Sequence, residues 1–74
     1  MPEEMPEMIA VDSSNIEAIG YNDETQDLHV QFTAGPCYVY HDVPRETFDE
    51  LMDASSKGSF LAREIKNTFA FTKQ

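Results

Sequence analysis

The chain has 74 residues, with five Phe, three Tyr, a single Cys and a formal net charge of −9. A chain this short supports one hydrophobic core, and one cysteine excludes an internal disulfide. No apolar run approaches the roughly 18 residues of a membrane-spanning helix. We therefore expect a cytoplasmic protein with no membrane association. Because a small core supplies little stability, self-association stays open as a further source of stability.

The acidic excess lies in the first half of the chain. Residues 1–44 carry nine acidic and no basic residues, whereas residues 45–74 carry five of each. An anionic partner would therefore approach the second half, and a basic protein surface the first. Acidity of this size also keeps a small protein in solution, an explanation that needs no partner.

The N-terminal segment is rich in proline and glutamate. Residues 1–7 are predicted to be a disordered lead-in, and residues 8–74 a single domain. The apolar run at 8–11 suits either an edge strand or loose packing, and the turn-forming residues 12–15 follow it. The folded part is therefore expected to begin near residue 8.

Three segments predict β-strands joined by short turns. Residues 16–21 suit a strand, and Leu28, Val30 and Phe32 alternate with polar residues, which is typical of a half-buried strand. Residues 37–41 return as a third strand after a Gly-Pro connection. The short connections predict a three-stranded antiparallel meander.

The second half of the chain shows helical spacing. Pro44 suits the start of a helix that ends near Ala54. Ser59 is predicted to cap a second helix, although the alternation of Phe69 and Phe71 also fits a short terminal strand. Strands followed by helices predict an α+β fold with both helices packed on one face of the sheet. The apolar positions of the two helices are Phe48, Leu51 and Met52, then Leu61, Ile65, Thr68 and Phe69.

The order and spacing of several short segments resemble the KTSC domain. This family consists of small modules found alone in bacteria and phages, and also at the C-terminus of some lysyl-tRNA synthetases. The resemblance covers residues 11–71 and implies a stand-alone or appended domain of unassigned role, for which RNA binding is suggested by association with the synthetase. The segments are 12–16, 19–21, 28–32, 38–40, 43–44 and 54–60.

Two tyrosines are candidate ligand-binding residues. Tyr38 and Tyr40 stand two apart on a predicted strand, so their rings project from one face. Exposed rings can stack nucleic acid bases, a contact worth about 1–3 kcal/mol per base. The alternative is that both rings pack beneath the helices with their hydroxyls at the rim.

The loop before the second helix is the other candidate site. The first turn of that helix contains no carboxylate, so its N–H groups are predicted to attract an anion, with Lys57 beside them and Arg63 one turn on. Alternatively, the serines and the glycine only end one helix and begin the next. The remaining candidate residues of this loop are Ser55, Ser56, Gly58 and Ser59.

The sequence offers little for catalysis or for metal binding. Cys37 and His41 are separated by about 13 Å along a strand, too far for nucleophilic activation. These residues and His29 match no zinc-site spacing. We therefore predict no enzyme activity, no metal and no cofactor.

The sequence favours a non-catalytic module that binds a phosphate-bearing ligand, either a nucleotide or RNA. Long nucleic acid is the weaker form, because an acidic domain repels a polyanion over about 8–10 Å. The alternative is an acidic protein–protein interaction module, for example a phage or bacterial protein that occupies a basic surface of a host protein.

Overall fold

The computed structural model describes residues 7–73. Except for Glu7, the predicted lead-in therefore lies outside the described residues. The strands are β1 (Ile9–Ala10), β2 (Ile16–Asn22), β3 (Asp27–Phe32), β4 (Cys37–Tyr40) and β5 (Phe71–Lys73). The helices are α1 (Arg45–Asp53) and α2 (Lys57–Phe60), and α2 runs directly into a π-helical segment, Leu61–Ile65.

The five strands form one antiparallel sheet in the order β1-β2-β3-β4-β5. The predicted meander is confirmed as β2, β3 and β4, and one short strand extends it at each edge. The alternative of a terminal strand near Phe71 is also confirmed, since Phe71 pairs with Tyr40. The α+β class follows directly from this arrangement.

An irregularity in β2 lets two isoleucines reach the same core. Ile16 and Ile19 are three residues apart, so a regular strand would point them to opposite faces. The register between β2 and β3 shifts between Ile16 and Ala18, and both isoleucines are fully buried. Such a bulge adds one residue to a strand and re-aims the side chains beyond it.

The hydrophobic core lies between one face of the sheet and the helical segments. Leu51 of α1 and Leu61 and Ile65 of the π-helical segment are buried against that face. The opposite face carries the alternate residues of the strands, among them Gly20 and Val39. The other members of the core cluster are Ile16, Ile19, Leu28, Val30, Tyr40 and Val43.

Helix α1 begins and ends near the predicted positions. Pro44 directly precedes its first residue, and the carbonyl of Pro44 accepts hydrogen bonds from the N–H groups of Thr47 and Phe48. The ring of Phe48 stacks on Tyr21 at 4.9 Å between centroids, and the Tyr21 hydroxyl donates to the carbonyl of Val43. These contacts dock the first half of α1 on β2.

The start of the second helix differs from the prediction. Ser56, not Ser59, is the capping residue, and its Oγ accepts a hydrogen bond of 3.4 Å from the N–H of Ser59. The helix therefore begins three residues earlier, at Lys57. It then widens into a π-turn in which the N–H of Lys66 donates to the carbonyl of Leu61 at 2.8 Å.

Both helical elements are short. Among residues 7–73 there is no helix with the length and apolar character needed to cross a membrane.

Candidate functional site

Two loops meet at one end of the domain to form a polar groove of about 540 Å³. Residues 12–15 lead into β2, and residues 55–59 comprise the end of the α1–α2 connection and the first turn of α2. The groove is lined by these two loops and Ala62, and its five serines bring five hydroxyl groups to it. We call it the serine groove. Its volume lies within the roughly 300–1,000 Å³ typical of small-ligand sites.

Asn15 holds the two loops of the serine groove together. Its backbone carbonyl accepts a hydrogen bond of 3.1 Å from the N–H of Thr33, which fixes Asn15 to the β3–β4 turn. Its side-chain oxygen accepts a hydrogen bond of 3.2 Å from Ser13 Oγ. The same carboxamide packs on Gly58, where a Cβ would lie only 2.6 Å from Asn15 Oδ1. Residue 58 must therefore lack a side chain while Asn15 keeps this position.

The predicted loop residues Ser55, Ser56, Lys57, Gly58 and Ser59 all line the serine groove. Lys57 is turned back toward α1, where its Nζ donates to the carbonyl of Ala54 at 3.2 Å. That contact stabilises a free carbonyl at the end of α1. Lys57 is therefore a neighbour of the groove whose ammonium group is already hydrogen bonded.

The backbone supplies further donors to the groove. The N–H groups of Lys57 and Gly58 occupy the first two helical positions, where no earlier helical carbonyl is available. Asp12 and Lys57 are the two charged side chains of the groove, and their charges offset each other. The groove is thus a neutral surface of hydroxyl and amide donors.

Arg63, the other predicted cation of this site, lies beside the serine groove and not in its lining. It lines an adjoining groove of about 370 Å³ that shares Ser55, Ser56 and Ser59 with the serine groove. The carboxylates of Glu50 and Asp53 also line that adjoining groove, and Arg63 Nε contacts Glu64 Oε2 at 3.2 Å. The role of Arg63 in anion binding therefore stays a prediction, and its guanidinium is already ion paired with Glu64.

The prediction for Tyr40 as a stacking ring is wrong. Tyr38 and Tyr40 do share a face, but it is the face covered by the helices, and Tyr40 is only 1% exposed. It belongs to the hydrophobic core beside Leu28, its partner on β3. Burial raises the pKa of the Tyr40 hydroxyl, to which the neighbouring Tyr38 adds a smaller effect. Tyr40 is therefore a core residue.

Tyr38 remains partly exposed and forms a wall of an apolar cleft of about 240 Å³. The cleft lies between Phe32, Pro36 and Tyr38, with Tyr40 at its base. The rings of Phe32 and Tyr38 form an edge-to-face pair with 5.4 Å between their centroids. We call this cavity the aromatic cleft. Asn15 lines both the aromatic cleft and the serine groove, so the two are neighbours.

The terminal strand adds an exposed aromatic residue next to the cleft. Phe71 stacks on Tyr38 at 5.2 Å between centroids and remains 49% exposed. Lys73 is the cross-strand partner of Tyr38, so both project from the same face of the sheet. Lys66, which follows the π-helical segment, also lines the cleft. Two lysines thus flank the aromatic cleft.

Sequence reasoning missed several residues of these two cavities. The sequence predicted residues 12–15 only as turn formers and as part of the family resemblance. It placed Lys66 and Lys73 only among the basic residues of the second half of the chain. The pairing of β5 with β4 determines where Lys73 lies. In the sequence, only the alternation of Phe69 and Phe71 predicted strand β5.

The opposite face of the sheet carries the remaining titratable cluster. His41 lies between Asp27 Oδ1, 3.1 Å from its Nδ1, and Thr72 Oγ1, 2.9 Å from its Nε2. Cys37 is partly buried, and burial raises the pKa of its thiol. Across the described part of the chain, no group of three or more His, Cys, Asp or Glu residues is arranged to hold a metal ion.

The family model for the KTSC domain matches residues 12–69, which include both loops of the serine groove. The chain belongs to the KTSC domain family. A crystal structure of a KTSC domain protein from Yersinia pestis shares the fold with a TM-score of 0.87 and 36% identity, covering 92% of this chain and 96% of that chain. The likeness therefore extends over almost the whole of both domains.

Relatives of this KTSC domain include both small and large proteins. A protein from Tsukamurella paurometabola is 45% identical over 62 residues, which span 84% of this chain and 92% of that protein. A lysine–tRNA ligase from Nostoc punctiforme is 33% identical over 64 residues, which span 86% of this chain and 11% of the ligase. The KTSC domain is thus a small part of the ligase.

Proposed function

We propose that this KTSC domain is a non-catalytic binding module whose serine groove holds a phosphate-bearing ligand. The observation that carries the proposal is the meeting of residues 12–15 with residues 55–59 in one hydroxyl-lined groove. Both loops belong to the segments that carry the resemblance to the family. Because both segments line the same groove, binding of one ligand there would involve both of them.

The chemistry of the groove suits an oxyanion held by neutral donors. Serine hydroxyls donate to phosphate oxygens, and so do backbone N–H groups at the start of a helical turn. Lys57 contributes positive charge nearby while its Nζ remains bonded to the carbonyl of Ala54. Hydrogen bonds to a charged acceptor are about twice as strong as neutral ones, so binding does not require a cluster of free cations.

The charge of the domain selects a small ligand over a long one. A net charge of −9 repels a polyanion within about 8–10 Å, the Debye length near physiological salt. One or two phosphates experience much less repulsion than an extended duplex or a long strand. The name lysine–tRNA ligase denotes enzymes that act on tRNA, and this supports the phosphate-bearing class of ligand.

The proposal is tested by NMR titration of the purified protein with inorganic phosphate and ribose 5-phosphate at two salt concentrations. We expect the amide signals of residues 12–15 and 55–59 to move, and the affinity to fall several-fold in Ser59→Ala. Thr25→Ala is the matched control because it removes an exposed hydroxyl from the distant β2–β3 turn. If neither compound shifts the groove signals, the proposal fails.

A second candidate function rests on the outer surface of α1. Four carboxylates of this helix are exposed, on Glu46, Asp49, Glu50 and Asp53. Asp49 is paired with Arg45. Glu50 and Asp53 line the groove that also contains Arg63, and within residues 7–73 the carboxylates of Glu46, Glu50 and Asp53 form no ion pair. Such a surface favours an acidic protein–protein interaction module that docks on a basic partner.

The second candidate is separated from the first by the double variant Glu46→Gln with Glu50→Gln, which removes two negative charges and keeps the side-chain size. If this surface is the interface, a purified partner should bind the wild type in a salt-sensitive manner. Its binding should be lost when both charges are removed. Phosphate binding in the serine groove should stay the same or tighten slightly. A partner that binds the double variant equally well would exclude this surface.

A further inference from the structure

We infer that the aromatic cleft holds the base of a nucleotide whose phosphate lies in the serine groove. The inference deepens the proposed function and rests on it, because it takes the phosphate position from that proposal. It names the ligand as a nucleotide unit with a planar base. The evidence lies in the cleft itself, in the cations around it and in the residue that joins it to the groove.

The cleft offers an apolar, ring-lined space next to a polar one. Phe32, Pro36 and Tyr38 form its walls, and the ring of Tyr38 is held by Phe71 and Phe32. A ring held on two sides loses little freedom when a base stacks beside it. Stacking on a protein aromatic ring strengthens binding about 5- to 140-fold for each base.

The positive charges of the domain point to an anionic occupant of this region. Arg45 and Arg63 are ion paired, and Lys57 is bonded to a backbone carbonyl. Lys66 and Lys73 have no carboxylate partner within residues 7–73. Both lie next to the aromatic cleft, although the domain as a whole is strongly acidic. An apolar peptide side chain would not need two ammonium groups at this place.

Asn15 joins the two cavities and sets their order. It lines the serine groove and the aromatic cleft, and its carboxamide has both donor and acceptor atoms. A ligand that extends from one cavity into the other must pass this side chain. The sugar of a nucleotide, with its hydroxyl groups, matches such a polar junction between an apolar and an anion-binding end.

The test compares ligands that differ only in the base. Adenosine 5′-monophosphate (AMP) and ribose 5-phosphate are titrated into the full chain by calorimetry and NMR. We expect AMP to bind at least about fivefold more tightly than ribose 5-phosphate. AMP should also shift the NMR signals of Phe32, Tyr38 and Lys66. Tyr38→Leu should remove that advantage and leave the affinity for ribose 5-phosphate unchanged.

Charge variants keep the test valid if Tyr38→Leu unfolds the domain. Lys66 is exposed, so Lys66→Gln should leave the melting temperature unchanged. It should weaken the binding of AMP about two- to fivefold. Arg45→Gln removes the same charge at the start of α1, outside the lining of both cavities, and should leave the affinity for AMP unchanged. Equal effects of the two variants would overturn the inference, since the loss would then reflect overall charge alone.

The ligand series separates failure of the inference from failure of the proposed function. If AMP and ribose 5-phosphate bind equally well, the nucleotide assignment is overturned while the phosphate site stands. If neither they nor inorganic phosphate bind, the proposed function itself fails. A single-stranded oligoadenylate of five nucleotides that binds more tightly than AMP would identify RNA as the source of the nucleotide unit. Weaker binding would identify a free nucleotide.

Discussion

The carboxamide of Asn15 packs directly on the Cα of Gly58, so a Cβ at position 58 would stand 2.6 Å from Asn15 Oδ1. This contact joins the loop before β2 to the first turn of α2. It also determines the shape of the serine groove. A side chain at position 58 should therefore affect ligand binding more than stability.

Gly58→Ala should leave the free energy of unfolding within about 1 kcal/mol of the wild type. Alanine is favoured over glycine in a helix by about that amount, and the atom in its way is the end of an exposed side chain that can rotate. Ligand binding should nevertheless weaken, because Asn15 must leave its place in the groove. Urea denaturation and NMR titration measure the two effects.

The Asn15→Ala background provides the control for that substitution. With the carboxamide gone, Gly58→Ala should stabilise the protein by up to about 1 kcal/mol. A loss of stability in the double variant would show that some other group opposes a side chain at position 58.

Tyr21→Phe should reduce the free energy of unfolding by about 1 kcal/mol. The substitution keeps the stacking with Phe48 but removes the hydroxyl that donates to the carbonyl of buried Val43. Chemical denaturation measures the change. Tyr38→Phe is the control, since the Tyr38 hydroxyl makes no hydrogen bond among the described residues and its loss should change stability by less than about 0.5 kcal/mol.

Stability should fall in the alkaline range through two tyrosines. Burial raises the pKa of Tyr21, with a further contribution from Asp23, and burial also raises the pKa of Tyr40. A raised pKa means that the fold favours the neutral hydroxyl. The resulting stability is complete below the unfolded pKa of about 10 and is lost as the pH rises through the folded value.

Melting temperatures measured from pH 8 to pH 11.5 test this expectation. The wild type should lose stability above about pH 10, and Tyr21→Phe should show a smaller decrease over the same interval. A profile that is flat up to pH 11.5 would contradict the assignment of both hydroxyls to buried, neutral positions.

Cys37 should react slowly with alkylating reagents. Burial raises the pKa of its thiol, so less thiolate is present at pH 8 than in an unstructured peptide. The rate with iodoacetamide should therefore be lower for the folded protein than for the same protein in urea. Equal rates in the two states would show that the thiol is fully accessible and unperturbed.

Most of the fold was predictable from local patterns. The alternation of Leu28, Val30 and Phe32 predicted β3, and the spacing of Phe48, Leu51 and Met52 predicted α1. The start of α2 was harder to place because Ser56 and Ser59 are chemically equivalent as caps. The structure selects Ser56, whose Oγ meets the N–H three residues later. That choice depends on how α1 ends, which the local pattern does not encode.

The candidate site was predictable only in part. The loop at 55–59 was identified from composition, but its partner at 12–15 comes from a distant part of the chain. Tyr38 and Tyr40 are the same residue type on one strand face, so no sequence pattern separates them. Tertiary packing does, because Tyr40 lies within the core cluster beneath the helices while Tyr38 lies at its margin.

The order of the strands also bears on how a larger protein can carry this domain. Strands β1 and β5 are at opposite edges of the sheet, and four interstrand spacings of about 4.8 Å place them about 19 Å apart. A host polypeptide that accepted the domain within one of its own loops would have to span that gap. Joining at one terminus needs a single junction and imposes no such geometric condition.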